Sequence, residues 1–336
     1  MPNENFIPGV IDDPRSHEEK LRDYSSLEIA YTSSPLVWTE KKPKDWKKYF
    51  TRNQNGGGYC VGEGTAKGFE LWFREICSSV PLYRNRANYP ARGMWLQDVG
   101  NVAKKIGTTL EKNIPSQRLS DAQIDAHSGK MDGIPDTEIF KVYGYAFLRN
   151  DNIDAIAEII ASGKPVIFTF HTNSDEWKDV PEYKGKPATF GHCVCGTDYT
   201  LYKGEKAIVV DESWGKGITE FGDKRVITES FLKARCTGAM YFLEKPPEPP
   251  KPKHMFLKNL SYGAKGMEVE WLQKVLVHEG VLKPIFITGN YLGKTKEAVI
   301  KFQEKYAKDI LTPIGLTKGT GRVLEQTRKK LNELYG

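Results

Sequence analysis

The chain has 336 residues, long for one domain and comfortable for two, and its 39% hydrophobic residues allow a sizeable core. No run of 18 apolar residues occurs, so a conventional membrane-spanning helix is excluded. The net charge of +6 is uneven, because residues 251–336 contain 16 basic and 8 acidic residues and so hold all the positive excess. That excess indicates an anionic polymer as partner or a solvated helical surface. We expect no nucleic-acid partner, since no basic motif interleaved with aromatic residues is present.

The N-terminal segment lacks the pattern of a secretory signal. Neither a basic stretch nor an apolar one follows Met1, so we expect synthesis in the cytoplasm without a signal peptide. Residues 1–45 are charged, contain prolines and show no clear period. We expect them to form an arm that wraps the folded body or stays partly mobile.

Residues 54–60 combine a glutamine, a glycine-rich loop and a cysteine that opens a predicted helix. The helical spacing i, i+3, i+4, i+7 predicts a buried face made of Phe69, Trp72, Phe73 and Ile76. A cysteine at a helix N-terminus feels the positive end of the macrodipole, which favours the thiolate. Catalysis by a thiolate also needs a base and an oxyanion donor. Gln54 can be the donor, and His192 is the candidate base.

The remaining pattern up to residue 245 begins with helices and ends with strands. Apolar periodicity and capping residues predict helices over 96–105 and 152–161 and strands over 141–148, 165–170, 191–197 and 207–210. This order predicts an α+β fold.

Five cysteines form a sparse, odd set rather than a disulfide framework. His192, Cys193 and Cys195 raise the question of a metal site. On a strand, however, the two sulfurs point to the face opposite His192, where free cysteines commonly pack in a core. We therefore expect no metal and no cofactor.

A proline-rich segment divides the chain. Residues 245–253 hold five prolines in nine positions, which favours an extended, semi-rigid spacer. We predict domains over 1–245 and 254–336, joined by a linker over 246–253.

The motifs of the first domain together resemble the papain-like (C1-type) cysteine peptidases. Their pattern of Gln, Cys at the head of the central helix, Gly-His and Asn-Ser-Trp-Gly is read here as Gln54, Cys60, Gly191-His192 and Glu212-Ser213-Trp214-Gly215. The resemblance covers roughly residues 5–244 and implies a two-lobed α+β domain with a cleft between the lobes. Two departures are the flanking residues Tyr59 and Val61, and a glutamate at the position of the family's asparagine.

The resemblance implies a role for each of these residues. Cys60 would be the nucleophile, His192 its base, and the Gln54 amide with the Cys60 backbone N–H the oxyanion donors. Glu212 would accept the other ring N–H of His192, whereas the adjacent Asp211 should face the opposite side of its strand.

Three further residues complete the predicted cleft. Trp214 would shield the contact between His192 and the carboxylate from water and contact substrate, and Gly93 and Met94 would form an edge that pairs with the substrate backbone. Members of this family are often made with a long inhibitory pro-segment. Only 59 residues precede Cys60, so we expect an enzyme that is active as translated.

The C-terminal domain resembles the small, three-helix, all-α peptidoglycan-binding domain of many cell-wall hydrolases. The resemblance rests on glycines and apolar residues at helical spacing, each set followed by a glutamine, in Gly263–Gln273 and Gly289–Gln303. Thr295 and Thr327 are predicted to be helix N-caps or first-turn residues.

The two resemblances together predict a cysteine peptidase that cleaves peptidoglycan peptides through a thioester. The layout is similar to that of phage endolysins, and it implies a monomer that reaches the bacterial cell wall after lysis-type release. The predicted partners are peptidoglycan and a peptide substrate. Two alternatives remain open: a wall-anchored protease that cuts ordinary proteins, and an inactive protein that only binds peptides or cell wall.

Overall fold

The computed structural model describes residues 9–11, 16, 36–244 and 251–336. The chain divides into two compact units, Met1–Lys245 and Pro246–Gly336. Most of the predicted N-terminal arm and residues 246–250 of the predicted linker lie outside the described residues.

The first unit is a mixed α+β structure. Its helices are α1 (Cys60–Phe73), α2 (Val80–Arg84), α3 (Leu96–Lys105), α4 (Asp121–Ala126), α5 (Ile153–Ala161) and α6 (Glu229–Arg235), with 3-10 turns at Pro43–Asp45 and Asp136–Glu138. Its strands are β1 (Thr108–Thr109), β2 (Ile139–Phe140), β3 (Gly144–Leu148), β4 (Val166–Thr172), β5 (Phe190–Tyr202), β6 (Glu205–Asp211), β7 (Lys224–Thr228) and β8 (Cys236–Leu243).

Six of these strands form one sheet in the order β3-β8-β4-β5-β6-β7, and all neighbours are antiparallel. Strands β1 and β2 form a separate antiparallel pair. Side chains alternate between the two faces of the sheet, so Cys193 lies in the core shared with α1 and Val194 lies in the core shared with α5 and α6.

Helix α1 approaches the sheet closely along a glycine face. Cys60, Gly64 and Gly68 are spaced four residues apart, so they lie on one side of the helix. A Cβ atom added to Gly64 would lie 3.0 Å from Cys193 Sγ, and one added to Gly68 would lie 3.1 Å from Ile167 Cδ1. The absence of side chains at both positions brings the helix, and Cys60 with it, against β5.

The predicted elements are present with altered ends. Helix α3 has the predicted bounds, and α5 starts one residue late because Asn152 is its N-cap, accepting from the Ala155 N–H at 3.1 Å. The prediction that Ile76 belongs to the buried face of α1 is wrong. Arg74 adopts a left-handed conformation (φ 62°) that ends the helix, and Ile76 is 40% exposed beyond it.

The second unit is helical. It contains α7 (Met267–His278), α8 (Gly293–Lys305), α9 (Ala307–Ile310) and α10 (Glu325–Tyr335), with 3-10 turns at Pro284–Phe286 and Thr312–Ile314. Among the described residues, no helix is both long and apolar enough to cross a membrane.

Two buried glutamines hold the second unit together in the same way. Gln303 Oε1 accepts from the N–H groups of Thr320 and Gly321 at 2.8 and 3.0 Å, and its Nε2 donates to the Thr327 hydroxyl at 2.9 Å. Gln273 repeats this pattern, with Oε1 accepting from the N–H groups of Thr288 and Gly289 and Nε2 donating to Thr295. Thr295 and Thr327 are thus first-turn residues, and the N-caps are Leu292 and Leu324.

Replacing Gln303 with Met should destabilise the second unit. The substitution leaves the buried N–H of Gly321 without its acceptor, so we expect a loss of about 1–3 kcal/mol in the free energy of unfolding. Hydrogen exchange of α8 and α10 in the intact chain measures it. Gln326→Met, at a half-buried position of α10, is the matched control, and equal effects of the two substitutions would contradict the prediction.

Candidate active site

Cys60 is the first residue of α1 and is completely buried. Its side chain lies against β5, where the backbone of Cys193 hydrogen-bonds to the thiol. Cys193 directly follows His192, so the glycine face of α1 places the cysteine beside the histidine-bearing part of β5.

The structure brings the predicted acid–base residues together. His192 Nε2 lies 2.7 Å from Glu212 Oε2, and both side chains are fully buried. The Trp214 ring packs over the imidazole, with 4.5 Å between ring centroids and 32° between planes. The Trp214 ring therefore covers one face of the imidazole.

Glu212 has two further side-chain partners that the sequence analysis did not find. Its Oε1 accepts from Arg225 Nε at 2.6 Å and from Trp177 Nε1 at 2.7 Å. Burial by itself would raise the pKa of Glu212, but the charges of His192 and Arg225 and their hydrogen bonds lower it to about 2. The carboxylate is therefore ionised near neutral pH. The sequence signal that could have indicated Arg225 is the basic pair Lys224-Arg225 at the start of an otherwise apolar strand.

Asp211 faces away from this site. Its Oδ1 accepts from the Thr197 hydroxyl at 2.7 Å and pairs with Lys224, and its Oδ2 lies 3.3 Å from Lys67 Nζ. Asp211 therefore lies on the face of the sheet opposite to that of His192, as predicted.

Gln54 is held firmly in the loop before α1. Its backbone N–H donates to the Ser213 carbonyl at 2.7 Å, and its side-chain oxygen accepts from the Ser213 hydroxyl. Its amide nitrogen donates to the Gly57 carbonyl at 2.6 Å. A primary amide carries two N–H groups, so one remains for a substrate oxyanion.

A buried ion pair joins this loop to the helix. Arg52 Nη1 lies 3.0 Å from Glu63 Oε2 on α1, and the Arg52 carbonyl accepts from the Gly215 N–H at 2.9 Å. Arg52 therefore connects the loop that carries Gln54, helix α1 and the segment after Glu212. Sequence reasoning missed it, because the partners are distant along the chain.

The space over Cys60 is occupied by the chain's own residues 9–11. Val10 forms a parallel bridge with Met94: the Met94 N–H donates to the Gly9 carbonyl at 3.1 Å and the Ile11 N–H to the Met94 carbonyl at 3.3 Å. A Cβ atom added to Gly9 would overlap Cys60 Sγ and lie 2.8 Å from the Gly58 carbonyl oxygen. Beside His192, a Cβ atom added to Gly191 would lie 2.5 Å from the Val10 carbonyl oxygen.

This occupancy alters two expectations from the sequence. Burial raises the pKa of the Cys60 thiol to about 12, against the opposing hydrogen bonds from the backbone of Cys193 and Val61. The resting thiolate is therefore disfavoured in this closed arrangement. The expectation of an enzyme active as translated also conflicts with the structure, because residues 9–11 must leave before a substrate reaches Cys60.

Of the two predicted edge residues, Met94 is the one that pairs. Its N–H donates to the Gly9 carbonyl and its carbonyl accepts from the Ile11 N–H, and its side chain is completely buried. Gly93 adopts a positive φ of 77° and donates its N–H to the Tyr83 hydroxyl at 3.0 Å. Gly93 thus shapes the turn that presents Met94.

Within residues 9–11, 16, 36–244 and 251–336, no cluster of three or more His, Cys, Asp or Glu side chains could hold a metal ion. All five cysteines are free and buried.

Gly9→Val should open the site. Because the added side chain cannot fit between Cys60 Sγ and the Gly58 carbonyl, residues 9–11 should be displaced, and alkylation of Cys60 by iodoacetamide should become at least about tenfold faster. The rate is measured by mass spectrometry of the labelled peptide. Gly293→Val is the matched control, since an added Cβ there meets no atom within 4 Å. An unchanged rate in Gly9→Val would show that this segment does not control access.

No protein-family model matches the sequence, and no curated protein matches it. Solved structures do share its fold. Xylellain, a cysteine protease from Xylella fastidiosa, has a TM-score of 0.52 at 16% identity, covering 71% of this chain and 96% of its own. The ragweed pollen cysteine protease Amb a 11 in its proform gives 0.54 at 16% identity over 73% and 77%. Procathepsin L2 from the Tenebrio molitor larval midgut gives 0.51 at 16% over 70% and 77%. The chain therefore contains the fold of papain-like cysteine proteases.

Proposed function

We propose that the protein is a cysteine peptidase that hydrolyses amide bonds in the peptide part of peptidoglycan. The observation that carries the proposal is the buried His192–Glu212 pair, assembled beside Cys60 and the Gln54 loop within a papain-like fold. Nucleophile, base, orienting carboxylate and oxyanion donor are the four parts that acyl transfer requires.

The chemistry follows from these positions once residues 9–11 have left. His192 takes the proton of the Cys60 thiol, and Sγ attacks the carbonyl carbon of the scissile amide. The tetrahedral oxyanion accepts hydrogen bonds from the side-chain N–H of Gln54 and the backbone N–H of Cys60. His192 then gives its proton to the leaving amine as the C–N bond breaks, leaving a thioester on Cys60. Water, deprotonated by His192, attacks the thioester, and the thiol and a carboxylic acid are released.

The second unit supports the choice of substrate. The net charge of +8 over residues 251–336 suits the anionic polymers of a bacterial wall, and the sequence of this unit resembles peptidoglycan-binding domains. A wall-binding unit on the same chain raises the effective concentration of the active site near its substrate without a new catalytic contact. We therefore place the activity at the bacterial cell wall.

Cys60→Ala should abolish the release of new amino groups from purified sacculi. The assay compares sacculi with casein at equal protein, using the parent chain and the Gly9→Val variant. Cys77→Ala is the matched control, because Cys77 is also a buried cysteine but lies outside the site, so that variant should keep most activity. Faster release from casein would favour a protease of ordinary proteins, and release from neither would favour an inactive binding protein.

The Cys60→Ala chain should still bind sacculi. If binding depends on the basic second unit, it should weaken as salt rises, since the screening length falls to about 3 Å at 1 M. Co-sedimentation with sacculi, with and without their attached anionic polymers, measures it. Failure to bind either preparation would contradict the wall-binding role, and salt-independent binding would point to a shaped groove.

A further inference from the structure

Glu212 is shared between two buried cations or potential cations. Its Oε2 faces His192 Nε2 at 2.7 Å, and its Oε1 faces Arg225 Nε at 2.6 Å. Glu212 and Arg225 are 1% and 4% exposed, and His192 is completely buried. The side of the carboxylate that does not touch the imidazole is therefore occupied by a guanidinium.

Aromatic residues around Arg225 shield the contact between His192 and Glu212 from water. Arg225 Cζ lies 5.4 Å from the ring centroids of both Trp177 and Trp214. Trp177 also donates to Glu212 Oε1 and packs edge-on against His192, with 5.4 Å between ring centroids and 85° between planes. One guanidinium and two indoles thus enclose the contact between His192 and the carboxylate.

The charge balance gives Arg225 a defined effect. A lone buried carboxylate at Nε2 would strongly stabilise the imidazolium form of His192 and so hinder the release of the proton on Nδ1 to the leaving amine. Glu212 and Arg225 together carry a net charge near zero. In this respect the pair resembles the neutral amide of an asparagine. Glu212 still accepts a charge-assisted hydrogen bond, which is shorter and stronger than one to an amide.

Other charged or titratable groups near His192 lie on its neighbouring elements. The Cys60 thiol on α1 hydrogen-bonds to the backbone of Cys193, the residue after His192. On β4 the residue opposite His192 is Phe170, with His171 at the next position. Asp179 lies 3.9 Å from Arg225 Nη1 and is 38% exposed at the outer end of the pair. None of these takes the place of Arg225 on Glu212 Oε1.

We propose that Arg225 is a positioning residue that neutralises Glu212 and fixes its orientation, and so sets how readily His192 gives up its proton. The proposal rests on the proposed cysteine-peptidase function of this site. Trp177 supports it by holding the same oxygen of Glu212.

The test measures the pH at which the His192 imidazole titrates, by NMR of the full-length protein labelled at histidine. Arg225→Gln leaves an unbalanced carboxylate, so the midpoint should rise by about one pH unit or more. Glu212→Gln leaves an unbalanced guanidinium, so the midpoint should fall. The double variant removes both charges and should return toward the parent value, and Arg225→Lys, which keeps the charge, should lie closer to the parent than Arg225→Gln does.

Arg86→Gln is the matched control, because Arg86 is also a buried arginine paired with a carboxylate, that of Asp125, but on the helical side of the unit. It should leave the His192 midpoint unchanged even if it lowers stability. An unchanged midpoint in Arg225→Gln, or a double variant no closer to the parent than Glu212→Gln, would overturn the proposal. Because the readout is the titration of His192 and not hydrolysis, a failure to cleave peptidoglycan would leave this test intact.

Discussion

The hydrogen bond between His192 and Glu212 depends on how β5 pairs with β6. The two strands are in register at Cys195–Asp211 and Gly196–Val210, but the next pair is Asp198–Val209, so Thr197 is an extra residue on β5. Residues directly opposite each other share a face of the sheet. Extending the register after the bulge places Glu212 opposite Val194, on the face of His192. Without the bulge, Glu212 would lie opposite Cys195 and point to the other face, because a slip of one residue exchanges the faces.

Local sequence patterns predicted the parts of the site, and long-range pairing determined how they meet. The start of α1 at Cys60, the strand that carries His192 and the orientation of Asp211 away from His192 all follow from short local patterns. The bulge at Thr197 leaves no such local pattern. Arg225 and Trp177 join the site because β7 pairs with β6 and the loop after β4 folds back. The sequence therefore predicted Glu212 but not the partners that determine its charge.

Two opposing effects act on the pKa of the Cys60 thiol while residues 9–11 cover it. The helix dipole at Cys60 favours the thiolate by about 0.3–2 kcal/mol. A rise of the Cys60 pKa from 9.0 to about 12 corresponds to roughly 4 kcal/mol in the opposite direction, and burial is its main cause. Desolvation therefore outweighs the dipole while residues 9–11 cover the sulfur. Gly9 and Gly191 make this possible, since a side chain at either position would collide with the opposing segment.

This closure also changes the argument about substrate. An open protease of broad specificity would damage the cell that makes it, which by itself favours a peptidase restricted to cell-wall peptides. A chain whose own backbone covers its nucleophile has a second form of protection, one that does not depend on the substrate. The choice of peptidoglycan therefore rests on the second unit, with its basic charge and its two glutamine-bridged loops, and not on the need for a harmless active site. Under the proposed function, a peptide substrate has to displace residues 9–11 from the Met94 backbone before it reaches Cys60.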